Sequence, residues 1–421
     1  MKHHIFLLAL LIFVLMLFGV VVLSGNVLAL ALPLIVYLGT ALWYAPDQVN
    51  LKIQRQFDAN WVKEGTPVTV CLSLENIGSD IEELLIREHL PRGAELLEGS
   101  LNAFVSLPAG AKHELHYIIR PRRGEYTWAP LQGLAGEMFA LFGQELIVEV
   151  PRKLSVRPQA FSLGPIAIRP PQTRGFSGPI PARQAGSGVD FFAVREYQPG
   201  DPIRHLNWRM AARHPFDLFT NTQQAERVAD VGLILDSRIH INVTARGDSL
   251  FEHATRAAAS LANSFLNDGN RVALLVYGGS IQSVYPGYGK IQRERIHNAL
   301  ARARLGRNYA LESLGHLPTR FFPARSQIVL ISPLHPDDVP VLVQLRSRGY
   351  AIMLVCPNAL DFEIYPQQPD AENDLAYRLA NAERTFLLQQ VRRIGIQVVD
   401  WRVHEPLEPL IQYTVRLRTF P

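Results

Sequence analysis

The densest run of chemically capable side chains lies between Gly188 and Arg213. It holds Asp190, Arg195, Glu196, Asp201, Arg204 and Arg213 beside Phe191, Tyr197 and Trp208, with Pro199-Gly200 at its centre. Opposite charges at such spacing suit a salt-bridge network that pins a loop onto a sheet, or else a surface that recognises a partner. Neither reading is catalysis, because no nucleophile, general base or metal-ligand cluster accompanies these residues. His205, His253 and His297 read as surface or partly buried side chains. Gly278-Gly279 and Gly287-Tyr-Gly289 punctuate a hairpin and lack the Lys and hydroxyl residues of a phosphate-binding loop. No serine sits on a nucleophile elbow at a strand end, so the chain reads as non-enzymatic and without a cofactor.

The elements that must position this segment follow from local pattern. Pro199-Gly200 fits the centre of a type II turn, Asp201 a helix N-cap and Pro202 the first helical position. A short helix from Pro202 to about Arg213 is expected, with Ile203, Leu206 and Met210 toward the core. Beyond Val189, apolar strands at Val228–Leu235, Arg271–Tyr277, Gln327–Ile331, Ala351–Val355 and Gln397–Trp401 alternate with helices at Ile291–Leu305, Val339–Arg348 and Leu375–Ile394. A further helix starts at Ser249-Leu-Phe-Glu252, which has the capping-box spacing, and ends at Asn267-Asp-Gly269. Such repetition predicts an α/β doubly wound domain, with ligands at the carboxyl ends of its strands.

From Val49 to Val156 the pattern changes to short alternating strands, as in Val68, Val70, Leu72 and Leu74, separated by turns. An all-β sandwich of immunoglobulin-like size is expected over 49–156. Residues 157–188 are rich in Pro and Gly and read as a linker or extended arm, with Ile166, Ile168 and Phe176 available to pack on a neighbour. The signature segment and α/β domain then occupy 189–421.

No charged residue lies between Ile5 and Tyr44, and two apolar runs, 5–23 and 27–44, flank Ser24-Gly25-Asn26. Each is long enough to cross the bilayer's hydrocarbon core, about 30 Å thick, so residues 1–46 read as a two-helix transmembrane hairpin. Lys2 flanks one end and Lys52 and Arg55 the other, which places both termini and the soluble domains in the cytoplasm, at the inner membrane. The rest of the chain holds the 42 basic and 38 acidic residues, which excludes a polytopic transporter. A net charge of +4, evenly spread, gives no case for nucleic acid. Two cysteines, Cys71 and Cys356, fall in different domains and exclude a disulfide framework.

The string Gly188, Asp190, Phe191, Arg195, Glu196, Tyr197, Pro199, Gly200, Asp201, Arg204, Trp208, Ala212 and Arg213 closely resembles the hallmark of the family called domain of unknown function 58. Arg120-Pro-Arg-Arg-Gly-Glu-Tyr126 and Ile396–Trp401 look like further landmarks of it. The resemblance implies a bacterial or archaeal membrane-anchored protein with a von Willebrand factor A-like domain. It also implies a MoxR-type AAA+ ATPase as partner, and sometimes a transglutaminase-like membrane protein, with no established activity. Domains of that type often hold Mg²⁺ in an Asp-x-Ser-x-Ser loop after the first strand. Here the loop reads Asp236, Ser237, Arg238, Ile239, His240, with Arg and His at the two serine positions. A guanidinium has no lone pair for a metal, so a degenerate site is expected, with Arg238 pairing to Asp236. Asp337 and Asp338 read as the start of a helix. The function expected is a membrane-tethered, non-enzymatic scaffold or adaptor. The alternatives are a metal-dependent adhesion or sensor module near Asp236 and a cell-envelope hydrolase.

Overall fold

The computed structural model describes residues 2–43, 49–136, 143–168, 180–214, 217–308, 311, 314–318, 321–364 and 374–416, without the side chains of 2–4, 180–190, 192, 223–227 and 316. The chain divides into two compact units, Met1–Arg157 and Pro158–Pro421.

The first unit begins with two apolar helices, α1 (Lys2–Val21) and α2 (Gly25–Trp43). Large apolar side chains such as Phe13, Leu17, Leu32 and Val36 are exposed on them. The helix α2 is long and apolar enough to cross a membrane, and Ile5–Val21 of α1 is a shorter apolar stretch.

Eleven strands follow: β1 (Leu51–Phe57), β2 (Trp61–Lys63), β3 (Val68–Asn76), β4 (Ile81–Arg87), β5 (Ala94–Gly99), β6 (Asn102–Leu107), β7 (Lys112–Pro121), β8 (Gly124–Thr127), β9 (Leu131–Gly136), β10 (Gly143–Val148) and β11 (Lys153–Arg157). They form four-stranded sheets in the orders β1-β3-β7-β5 and β10-β9-β4-β6, and a three-stranded sheet β2-β11-β8. The expected alternation is realised on β3, where Val68, Val70, Leu72 and Leu74 are buried and the residues between them are half-buried. Leu72, Leu74 and Leu115 from one sheet pack with Ile81, Leu84, Ile86, Leu107 and Leu131 from the other, which makes the body a β-sandwich. The hydroxyl of Tyr126 lies 2.8 Å from the Arg122 carbonyl and 3.1 Å from that of Gly93, so the Arg-rich landmark is a turn held from beneath by its own tyrosine.

In the second unit, β12 (Ile180–Glu196) pairs with β13 (Phe219–Arg227) as a two-stranded antiparallel ribbon. Between them lies α3 (Trp208–Ala211). The main sheet then begins with β14 (Asp230–Ser237), followed by the small hairpin β15 (Thr244–Ala245) and β16 (Asp248–Ser249) and by α4 (Leu250–Asn267). Next come β17 (Arg271–Gly278), β18 (Gln282–Gly287), α5 (Gly289–Arg302), β19 (Gln327–Ile331), α6 (Val339–Ser347), β20 (Ala351–Pro357), α7 (Ala359–Ile364), α8 (Asp374–Arg393), β21 (Gln397–Trp401) and α9 (Leu407–Arg416). The order across the six-stranded sheet is β18-β17-β14-β19-β20-β21. Every neighbouring pair is parallel except β17 with β18. Val231, Leu233 and Leu235 of β14 enter one core with α4 and α9, while Ile234 enters the opposite core with Leu342, Leu345, Leu388 and Val391 of α6 and α8. Burial on both faces explains why these strands are continuous apolar runs, and confirms the doubly wound α/β reading.

Three sequence expectations need correction. The 157–188 stretch is not a linker throughout, because β12 already starts at Ile180, while Ile166 and Ile168 are buried in the α/β core, as expected of an arm that packs on a neighbour. Phe161 N donates to Ser260 Oγ at 2.9 Å and Gly164 N to Glu408 Oε1 at 2.9 Å, which clips residues 158–168 onto α4 and α9; Phe176 lies outside the described residues. Second, the capping box at Ser249 does not form. Ser249 belongs to β16, its side chain makes no cap, and the amide of Leu250 is taken by the Val243 carbonyl at 2.9 Å. Third, the helix expected from Pro202 to Arg213 breaks into a 3-10 turn, Ile203–His205, and the short α3. Strand pairing breaks it. Leu206 bridges Thr220, and Asn207 N donates to the Phe219 carbonyl, so two backbone groups that a continuous helix would use are spent on the ribbon.

Candidate functional site

In a sheet of this order the chain starts at the centre, fills one side, and returns to fill the other, so strand order reverses between β14 and β19. Asp236 stands one residue from the end of β14 and Ser332 directly follows β19. The crevice where ligands collect on such folds is therefore lined by the Asp236 loop.

That crevice is filled from within by Arg238, which is 2% exposed. Its Nε donates to Asp236 Oδ1 at 2.9 Å and its Nη2 to Asp236 Oδ2 at 2.6 Å. The same guanidinium reaches Asp338, with Nη1 to Oδ1 at 3.0 Å and Nη2 to Oδ2 at 2.8 Å. Ser332 Oγ donates to Asp236 Oδ2 at 2.7 Å, the Arg238 amide to Asp236 Oδ1 at 3.1 Å, and the His335 amide to Asp338 Oδ2 at 2.9 Å. One cation thus holds two buried carboxylates, and the surplus negative charge is spread over a hydroxyl and two backbone amides. Burial alone would depress the guanidinium's pKa, but the hydrogen bonds and charge of Asp236 and Asp338 outweigh it and hold the pKa above its ordinary value. Tyr277, opposite Asp236 on β17, is also buried, and its phenol is pushed up to about 12, mainly by that burial.

The site does not fit a divalent cation. The carboxylate oxygens that would bind it already accept from Arg238, whose charge would repel a metal. The expected Arg238–Asp236 pair is present, whereas Asp338 does more than start a helix. It ends a 3-10 turn, Pro336–Asp338, ahead of α6 and turns its carboxylate back onto Arg238. Ser237 is buried beside this cluster, and its hydroxyl has no hydrogen-bond partner among the described residues. His240 is exposed at the rim, its ring 6.3 Å from that of His335 in an edge-on arrangement. The loops meet through Gly279 and Gly306. A Cβ on Gly279 would lie 2.3 Å from the Gly306 Cα, and Gly306 in turn bridges Arg238.

The signature segment sits on the β12–β13 ribbon. Gly200 has φ +110°, and Asp201 N donates to the Gln198 carbonyl at 3.0 Å, as a type II turn at Pro199-Gly200 requires. Asp201 is not an N-cap. It accepts from Arg195 Nη2 at 2.6 Å and from Gln198 N at 3.0 Å, and the Arg195 hydrogen bond holds its carboxyl below the usual carboxylate range. Among the described residues this is the segment's one ion pair between acidic and basic side chains. Glu196, Arg204 and Arg213 are exposed, Tyr197 is half-buried, and the side chains of Gly188–Asp190 lie outside the described residues. Ile203, expected in the core, is 69% exposed, and Phe191 and Trp208 are each 65% exposed.

The sequence reading missed Asp338 and Ser332 in the crevice, and Arg55 with Glu88 in the sandwich. Arg55 Nη2 lies 3.0 Å from both Glu88 oxygens, and both side chains are fully buried.

Residues 193–342 match the family model described as "Protein of unknown function DUF58". The chain is 25% identical over 375 residues to "Uncharacterized protein YeaD" of Bacillus subtilis, covering 86% of this chain and 85% of that one. It is also 25% identical over 253 residues to "Uncharacterized protein Rv1480" of Mycobacterium tuberculosis, covering 52% of this chain and 75% of the relative. Among solved structures, the CARDB domain of a Pyrococcus furiosus protein aligns with 27% of this chain and 91% of its own, at 12% identity and a TM-score of 0.18.

Proposed function

We propose that the protein is a membrane-tethered, non-enzymatic adaptor whose β12–β13 segment docks a protein partner. The carrying observation is the exposure of Phe191, Ile203 and Trp208 on the segment that bears the family's hallmark. Large apolar and aromatic groups left in water beside Arg204, Arg209 and Arg213 have the composition of an interface anchor with a charged rim. The Arg238 clamp supports the non-enzymatic reading, since it fills the crevice with a structural ion triad.

The finer assignments rest on the same reading. The second unit is a von Willebrand factor A-like domain, favoured by its strand order and antiparallel edge strand β18. The β-sandwich is immunoglobulin-like, α1 and α2 form a two-span hairpin, and both termini are cytoplasmic at the inner membrane. The partner is a MoxR-type AAA+ ATPase, with a transglutaminase-like membrane protein as a further associate, an assignment that rests on the family resemblance alone.

The test is capture of a MoxR-type ATPase from the same cell by the full detergent-solubilised chain, with and without nucleotide. Trp208→Ala and Ile203→Ser should abolish capture while changing stability by no more than about 0.5 kcal/mol, as surface substitutions do. Capture that survives both substitutions would remove the segment from the interface. A topology reporter fused after Pro421 and found outside the cytoplasm would remove the adaptor reading.

A further inference from the structure

The outer face of the β-sandwich gathers three side chains of a different chemistry. In the antiparallel register of β3 with β7, Cys71 stands opposite His116. Glu114 is two residues before His116 and so points to the same face. One donor atom from each, the Cys71 sulfur, a Glu114 oxygen and a His116 ring nitrogen, lies within 4.8 Å of the other two. His116 Nε2 and Glu114 Oε2 are 3.2 Å apart.

These distances can be compared with a known coordination shell. Zinc takes thiolate sulfur at about 2.3 Å, imidazole nitrogen at about 2.0–2.1 Å and carboxylate oxygen at about 2.0–2.2 Å, so two donors on a tetrahedral ion stand about 3.3–3.6 Å apart. The imidazole and carboxylate already hold that spacing. Bringing in the thiol needs at most about an ångström of side-chain movement. Thiolate and carboxylate would balance Zn²⁺ to a neutral complex, and a thiol with an imidazole favours zinc over the hard ions Mg²⁺ and Ca²⁺. Among the described residues the nearby lysines are engaged elsewhere: Lys112 and Lys52 contact Glu75 at 3.3 and 3.9 Å, and the β1 residue opposite Cys71 is the neutral Gln56. All three donors stand on paired strands, which fix their backbones more tightly than a loop would.

We propose that Cys71, Glu114 and His116 form a zinc site on the outer face of the β-sandwich, with a fourth position open to water or to a donor from another molecule. The site is independent of the crevice at Arg238 and of the adaptor reading.

The experiment uses the full chain in detergent, stripped with chelator and titrated with Zn²⁺ against a chromogenic chelator, then with Co²⁺. One equivalent of Zn²⁺ should bind per chain. Co²⁺ should give visible d–d bands and a near-ultraviolet thiolate-to-cobalt band. Because the other cysteine, Cys356, is fully buried, Cys71→Ser should abolish that band. Cys71→Ser, His116→Ala and Glu114→Gln should each weaken Zn²⁺ binding by on the order of 10–100-fold or more. The apo variants should melt with the wild type, since these side chains leave the core untouched. If Cys71→Ser does not fold, the exposed Glu114 and His116 carry the same affinity test. Stoichiometric binding that is unchanged in the variants, no binding at all, or a cobalt spectrum without a thiolate band would each overturn the proposal.

Discussion

Arg238 and Asp338 stand one hundred residues apart in the chain, yet their side chains meet in two parallel hydrogen bonds of 3.0 and 2.8 Å, both residues at 2% exposure or less. The contact ties the loop after the first strand of the α/β sheet to the loop after the fourth. Those are the two loops that border the point where strand order reverses, so a single guanidinium closes the place where folds of this kind ordinarily open to a ligand.

Removing one end of this clamp should be costly. Asp338→Ala forfeits three hydrogen bonds to a charged group, two from Arg238 and one from the His335 amide, each worth about 1.5–3 kcal/mol, so a loss of about 3 kcal/mol or more is expected in denaturant unfolding. Arg238→Met should cost more than Asp338→Ala, because it leaves two buried carboxylates facing each other without a cation. The reverse order of stabilities would mean that Asp236 and Asp338 do not both depend on Arg238.

The same charge balance predicts a gain of metal response. Arg238→Ser removes the guanidinium and supplies a hydroxyl next to Asp236, Asp338 and Ser332, a set of hard oxygen donors suited to Mg²⁺ or Mn²⁺. Millimolar Mg²⁺ should raise the melting temperature of the variant and leave that of the wild type unchanged. An equal shift in both proteins would place the ion elsewhere.

Gly279 and Gly306 should tolerate no side chain. An added Cβ on either meets the other's Cα at 2.3 or 2.5 Å, and both contacts are backbone, which cannot rotate away. Gly306 also exchanges hydrogen bonds with the Arg238 loop, donating to the Ser237 carbonyl at 3.1 Å and accepting from Ile239 N at 3.2 Å. Gly279→Ala should therefore destabilise by about 1–3 kcal/mol. A cost near zero would show that the two loops separate in solution.

The elements of the α/β unit were legible because burial on both faces writes itself into composition: Gln327–Ile331 and Gln397–Trp401 are the strands their apolar runs describe. The Arg238–Asp236 pair was legible too, since the two residues are neighbours on a tight loop. Asp338 was not, because a local reading sees an acidic residue at a helix start and cannot see a guanidinium one hundred residues away. Ile203 failed for the opposite reason. Its spacing matches an amphipathic helix, but pairing of Leu206 and Asn207 with β13 breaks that helix and leaves Ile203 in solvent. The Cys71–His116 juxtaposition depends on strand register, which alternation alone leaves open by two-residue steps.

Acid should expose the contribution of Asp248. Burial would raise its carboxyl pKa, but the Ser249 amide, the His253 ring at 2.8 Å and the nearby Arg256 outweigh that and hold it below the usual carboxylate range. A carboxyl whose folded pKa is depressed binds fewer protons in the native state. Its stabilisation is therefore fully present above its unfolded value of about 3.9 and is lost as pH falls through the lower folded value. The Asp248 side chain is 48% exposed, so solvent and salt screen the pair, and the effect should shrink at high ionic strength. Asp248→Asn should lower the melting temperature between about pH 5 and 7, where the wild-type group is ionised, and the two proteins should converge as pH falls below the unfolded value and through the lower folded one. The difference in melting temperature, followed across that range, decides the matter: a gap that stays constant into acid would assign the loss to hydrogen bonding of the β15–β16 hairpin and remove ionisation of Asp248 from the account.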